Sequence, residues 1–140
     1  MDELERVAVE CFGLDVATRL PVTESFSSQV LSFLASDGSR HVVKRHWARV
    51  KAEREAWALT ELASHPDVPA LRATAEHDGH LYLLIEGLDG VAWEHVEDAT
   101  PELLRELGRA TAEMHRTTAD SFDGFATWHE LLRGNADRYL

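Results

Sequence analysis

Cysteine is almost missing from this sequence. Cys11 is the only one in 140 residues, so no internal disulfide can form, and a cytoplasmic, reducing setting is expected. Positive charge is also scarce: 14 Lys and Arg stand against 25 Asp and Glu, for a net charge of −11. A nucleic-acid partner calls for a basic patch to displace counterions, and none is visible, so no nucleic acid is expected. No apolar run approaches the roughly eighteen residues of a membrane helix, so no membrane partner is expected. The start, MDELERVAVE, lacks the basic and apolar parts of a signal peptide. There is no G-x-G-x-x-G and no nucleophile elbow. What remains is 44% hydrophobic and 28% charged, the balance of one globular domain or of a small domain with part of a second.

Residues 2–11 carry Leu4, Val7, Ala8 and Cys11 at helical spacing. From Thr18 the pattern changes to strands. Apolar-rich runs at 29–35 and 41–46 flank Ser36-Asp37-Gly38-Ser39, and a second pair at 71–77 and 80–86 flanks Asp78-Gly79. Asp-Gly between such runs is a strong hairpin signal, because glycine accepts the positive φ of a tight turn. A helix over 48–64 lies between the hairpins and ends ahead of Pro66. Thr100-Pro101-Glu102 supplies an N-cap, a first-turn proline and an acid, and Leu103, Leu104, Leu107, Ala110, Thr111 and Met114 then share one face. Another helix is expected to start near Thr127 and to be still running at Leu140. The order predicts an α+β fold, a mainly antiparallel five-stranded sheet with a covering helix followed by the first helices of a helical layer.

The most informative local feature is Glu55. At 100° per residue, Ala52, Ala56, Leu59, Leu62 and Ala63 form one stripe of the 48–64 helix, and Glu55 falls inside it. A carboxylate on a core-facing surface is costly unless it is paired. Lys44 ends the run His41-Val42-Val43-Lys44 and is one of only two lysines beside twelve arginines. Its compact ammonium on a flexible stem suits bridging a carboxylate and a phosphate. The spacing is equally compatible with a solvated lysine and a helix-edge glutamate that never meet. Residues 24–29 (Glu24-Ser25-Phe26-Ser27-Ser28-Gln29) could turn over phosphates with backbone N–H donors, or be a plain serine-rich turn. In Leu83-Leu84-Ile85-Glu86-Gly87-Leu88-Asp89-Gly90 an apolar strand breaks into a glycine-bearing connector, which is either a simple loop or a hinge whose backbone meets a base edge.

Several features read as structural. His77 and His80 flank the Asp78-Gly79 turn, but two ligands fall short of a zinc site. His129-Glu130-Leu131-Leu132-Arg133 ends in arginine where a zincin helix needs histidine. Cys11 has no local partner and is expected to be packed. Trp57 falls on the polar side of its helix and is expected to contact another element or the rest of the protein, and Trp93 and Trp128 suit core or lobe contacts. Glu94, Glu97 and Asp98 could favour a cationic substrate, but solvated surface charge is the better explanation.

Taken in order, Lys44 in a strand, Arg54-Glu55-Ala56-Trp57-Ala58-Leu59, Val68-Pro69 and residues 84–90 resemble the aminoglycoside phosphotransferase and small-molecule kinase family. Leu107-Gly108-Arg109-Ala110-Thr111-Ala112-Glu113-Met114-His115 and Phe122-Asp123-Gly124-Phe125 extend the resemblance, which runs from about Val22 to the end. It implies a kinase-like nucleotide-binding lobe over 1–88, a hinge over 89–100 and an incomplete helical lobe over 101–140. It implies that Lys44 holds the ATP phosphates, Glu55 orients Lys44, and Ser25, Phe26, Ser27 and Ser28 cover the phosphates. Val30 and Val42 would cover the base, Ile85 would back the adenine pocket, and the Glu86 carbonyl and Leu88 N–H would meet the adenine edge. The cofactors implied are ATP and magnesium, and the partner is a small-molecule hydroxyl acceptor.

Two departures stand out. The phosphate loop lacks the family's usual glycine. There is also no His-Gly-Asp catalytic loop and no Asp-x-Asp metal motif, so the base and the magnesium ligands are expected beyond Leu140 and this chain is expected to be inactive alone. A non-catalytic nucleotide-binding or protein-interaction module on the same scaffold is the alternative.

Overall fold

The computed structural model describes residues 1–22, 25–90 and 99–116. The expected helix from Thr127 and residues Glu24, Trp93, Glu94, Glu97, Asp98, 122–125 and 128–133 lie outside the described residues. The elements are α1 (Glu3–Glu10), β1 (Thr18–Leu20), β2 (Ser28–Leu34), β3 (Arg40–His46), α2 (Arg49–Glu61), β4 (Leu71–His77), β5 (His80–Glu86) and α3 (Pro101–Met114). All strand pairs are antiparallel, and the sheet order is β1-β2-β3-β5-β4.

Composition explains that order. β5 is apolar on both faces, with Tyr82, Leu83, Leu84 and Ile85 all buried, so it sits between two strands. β4 alternates exposed and half-buried residues and takes the edge. The Asp-Gly turns form as expected. Asp78 (φ 48°) and Gly79 (φ 76°) both adopt positive φ, the requirement of a two-residue hairpin turn whose twist matches its strands.

The pleat divides the core in two. Leu31, Phe33, Val43, Tyr82 and Leu84 point to one face, where α1 lays Leu4, Val7 and Ala8 against them. Leu83, Ile85 and Val42 point to the other face, where α2 lays Leu59 and Ala56. The sheet is thus covered on both sides, and α1 as a cover was not legible in the sequence. Side-chain anchors hold α1 in place: Glu3 accepts hydrogen bonds from the buried Tyr82 hydroxyl and from Arg45 Nη1 (2.8 Å). Burying Val7, Phe33 and Val43 completely stabilises the fold by about 1.5–3 kcal/mol each.

One expectation is corrected. α2 ends at Glu61, so Ala63 lies past the helix and is exposed instead of extending the stripe. Trp57 is half-buried, in keeping with a contact beyond its own helix. Cys11 packs against the core under α1 as expected, and its Sγ lies 3.8 Å from His77 Nδ1, a partner distant in sequence. On α3, Thr100 Oγ1 caps Leu103 N–H at 3.2 Å behind Pro101, as the cap motif requires. The apolar residues Leu103, Leu104 and Leu107 of that helix are exposed.

Candidate functional site

Strand alternation puts Val42, Lys44 and His46 on the α2 face of β3, while Val43 turns to the α1 face. The register adds neighbours on that same face. Val30 of β2 lies opposite Lys44, Ile85 of β5 lies opposite Val42, and Leu83 lies opposite Lys44. Lys44 therefore rises from an apolar floor of Val30, Val42, Leu83 and Ile85. Leu83 and Ile85 are buried under α2, so the accessible part of this floor is the half-buried Val30 and Val42, which suit the flat face of a base, and an ammonium at their margin suits an anion.

Two residues, Trp47 and Ala48, separate β3 from α2. Glu55 lies six residues into α2, about 9 Å along its axis. That rise returns its carboxylate to the end of β3, where Glu55 Oε1 accepts a hydrogen bond from Lys44 Nζ at 2.9 Å. The Lys44 and Glu55 side chains are 23% and 26% exposed, so the pair is shielded yet still reachable. The other oxygen, Oε2, is bound to His46 Nε2. Burial pushes the Glu55 carboxyl up, but hydrogen bonds from His46 and Lys44 and their positive charge outweigh it and hold the carboxyl below its ordinary 4.5.

The contact with His46 was missed at the sequence level. The available signal was spacing: His46 is two residues beyond Lys44 in one strand and so shares its face.

The segment expected to cover phosphates begins beside His46, because Ser28 is opposite His46 in the ladder. Ser28 is buried and its hydroxyl meets that of Ser25 at 2.8 Å, while Phe26 is fully exposed. The Ser27 carbonyl accepts from Trp47 N–H at 3.1 Å, tying the loop to the β3–α2 connection. At the far end of the floor, Gly87 N–H donates to the Arg40 carbonyl at 3.0 Å. A Cβ on Gly87 would lie 2.3 Å from Arg40 Cγ, so only glycine lets the two backbones approach this closely. Glu86 is tied to the edge strand, with its N–H on the Ala70 carbonyl (2.9 Å) and its carboxylate on Arg72 (2.8 Å). Leu88 follows, exposed.

The remaining polar clusters serve structure. His65, Asp67 and Glu113 have the spacing of a metal site among the described residues. However, Arg109 contacts Glu113 at 2.8 Å and Asp67 at 3.9 Å, placing a cation on both carboxylates. His65 Nδ1 accepts from Asp67 N–H at 3.2 Å, so a neutral ring carries its proton on Nε2 and has no lone pair there for a metal. The cluster ties α3 to the α2–β4 connection and does not fit magnesium. His77 and His80 are directly paired across their turn and both pack edge-on against Tyr82.

The sequence matches the model of the phosphotransferase enzyme family over residues 19–140. Among solved structures it is similar to aminoglycoside phosphotransferase APH(4)-Ia, with a TM-score of 0.73 at 16% identity over 96% of this chain and 50% of that one. A Thermobifida fusca YX-ER1 protein assigned as fructosamine-3-kinase gives a TM-score of 0.58 at 23% identity over 86% of this chain and 41% of that one. At such identities the likeness is one of fold, and it agrees with the expected α+β, kinase-like lobe. The chain spans half or less of the length of these two neighbours. No curated protein matches the sequence.

Proposed function

The chain belongs to the phosphotransferase enzyme family, and from that premise we propose that it supplies the ATP-holding part of an enzyme that phosphorylates a hydroxyl of a small molecule. Residues 1–88 form the nucleotide lobe, 89–100 the hinge, and 101–140 the beginning of the helical lobe. The observation that carries the reading is the 2.9 Å pair between Lys44 and Glu55 at the edge of the apolar floor. Glu55 fixes the ammonium, and Lys44 keeps donors for the phosphates of ATP. Val30 and Val42 cover the base, Ile85 backs it, and the Glu86 carbonyl and Leu88 N–H meet its edge. Ser25, Phe26, Ser27 and Ser28 lie over the phosphates.

Phosphoryl transfer rests on positioning and charge stabilisation, and this sequence carries neither a His-Gly-Asp loop nor an Asp-x-Asp motif. Magnesium would supply charge neutralisation at the phosphates, and no described cluster of this chain fits it. The chain alone therefore turns over no acceptor, and substantial turnover by it would overturn that part of the reading. The acceptor class is an aminoglycoside-like antibiotic or a small metabolite, to be found by an ATP-consumption screen against amino-sugars and small alcohols. The binding test is calorimetric titration of the chain with magnesium ATP. Lys44→Ala should weaken affinity by about tenfold or more, the scale of one or two charge-assisted hydrogen bonds, with the fold retained. Unchanged affinity would remove Lys44 from the site.

A further inference from the structure

Glu55 has two oxygens, and β3 occupies both of them: Lys44 holds Oε1 and His46 holds Oε2. The two cations or donors are separated by two residues on one strand face, so a single rigid element grips the carboxylate from both sides. The His46 side chain is only 9% exposed, and its Nδ1 is buried with no hydrogen-bond partner. A buried imidazole with one unpaired nitrogen is a costly way merely to fill space. Its one polar contact among the described residues is Glu55.

We propose that His46 is a positioning residue for the phosphate-binding lysine. With Oε2 engaged by His46, Glu55 presents one oxygen to Lys44, and the ammonium keeps two of its three donors for an anion. Without His46, Glu55 is free to turn both oxygens onto Lys44 or to rotate out of the strand's reach. Either change withdraws the ammonium from a phosphate. Ser28, which starts at the end of the phosphate-covering segment, is directly opposite His46, so the same imidazole also sits at the root of that segment. The inference rests on the nucleotide-binding reading of Lys44, and the experiment below separates the two.

Magnesium ATP is titrated into the full chain and its variants, and thermal midpoints are recorded in parallel. His46→Leu removes the donor at similar bulk, whereas His46→Gln returns an N–H donor near the position of Nε2. The expected result is an affinity about tenfold weaker for His46→Leu, the order of one lost charge-assisted hydrogen bond, with recovery to within about threefold in His46→Gln. The thermal midpoints of the two variants should match, because a packing role would separate affinity from the donor. If Lys44→Ala weakens binding and His46→Leu does not, the role of His46 is overturned and the nucleotide reading stands. Equal losses in His46→Leu and His46→Gln also overturn it, since the donor would then be irrelevant. If Lys44→Ala leaves affinity unchanged, the nucleotide reading itself fails and the inference with it. Should the variants not fold, the imidazole nitrogen resonances of His46 in the unaltered chain decide. They should show a proton on Nε2 and move with the same dissociation constant as the calorimetric titration. Resonances indifferent to ATP would sink the proposal.

Discussion

Lys44 Nζ and Glu55 Oε1 stand 2.9 Å apart, joining the end of β3 to the second turn of α2. The contact solves two problems together. It compensates a carboxylate on the core-facing side of a helix, and it fixes an ammonium beside the apolar floor made by Val30, Val42 and Ile85.

Glu55→Gln should weaken both functions of this contact. The amide has one acceptor in place of two and sets an NH2 group against one of its two donors. Unfolding in urea at neutral pH should show a loss of about 1.5–3 kcal/mol with an unchanged slope, the range for hydrogen bonds to charged groups. A change below about 0.5 kcal/mol, the level of an exposed pair, would mean that the pair contributes nothing beyond a surface contact.

The pH dependence has a definite sign. The Glu55 carboxyl is held below 4.5 in the folded chain, so just below that pH the unfolded chain binds more protons than the folded one. The stability contributed by Glu55 is fully present above pH 4.5 and is lost as pH falls through the folded value. Urea midpoints taken from about pH 6 to about pH 3 should decline, and the decline should be shallower in Glu55→Gln. Parallel profiles for the two proteins would contradict the depressed carboxyl. Asp2, Glu3 and Glu5, also held below their ordinary values, add a decline common to both.

Gly87→Ala tests the close approach at the end of β5. The added methyl would stand 2.9 Å from the Arg40 carbonyl carbon as well as 2.3 Å from its Cγ. Backbone has to give way, at a cost of about 1–3 kcal/mol. The thermal midpoint should fall, and the Gly87 N–H bond to Arg40 should lose hydrogen-exchange protection. An unaltered midpoint would show that the Arg40 side chain alone makes room.

Phe33→Ala tests the face that α1 covers. Phe33 is fully buried among Leu4, Val7, Tyr82 and their neighbours and packs 5.5 Å from the His41 ring. Truncation should cost about 3–5 kcal/mol in chemical denaturation. A loss near 1 kcal/mol would mean that α1 closes over the cavity or is not firmly docked.

The sequence by itself determined whatever depends on neighbours along the chain. Asp78-Gly79 dictated its hairpin because its two residues tolerate positive φ, and Thr100-Pro101 dictated the start of α3 because a hydroxyl caps Leu103 N–H. The apolar stripe of α2 even showed Glu55 to be misplaced unless a cation waited on the sheet. Periodicity stated that need, and the strand run ending at Lys44 offered one cation to meet it, but nothing in that pattern singled out His46. Tertiary structure decided that Lys44 takes one oxygen and His46 the other, because β3 and α2 must be folded back on each other before spacing of two along a strand becomes a grip on one carboxylate. It likewise placed β5 between β3 and β4 and laid α1 on the opposite face, since only the assembled sheet reveals that both of its sides are apolar and need cover. Partners far apart in sequence, such as Cys11 with His77 or His65 with Glu113, leave no local mark. Their contacts follow from burial, which is a property of the whole chain and not of any window within it.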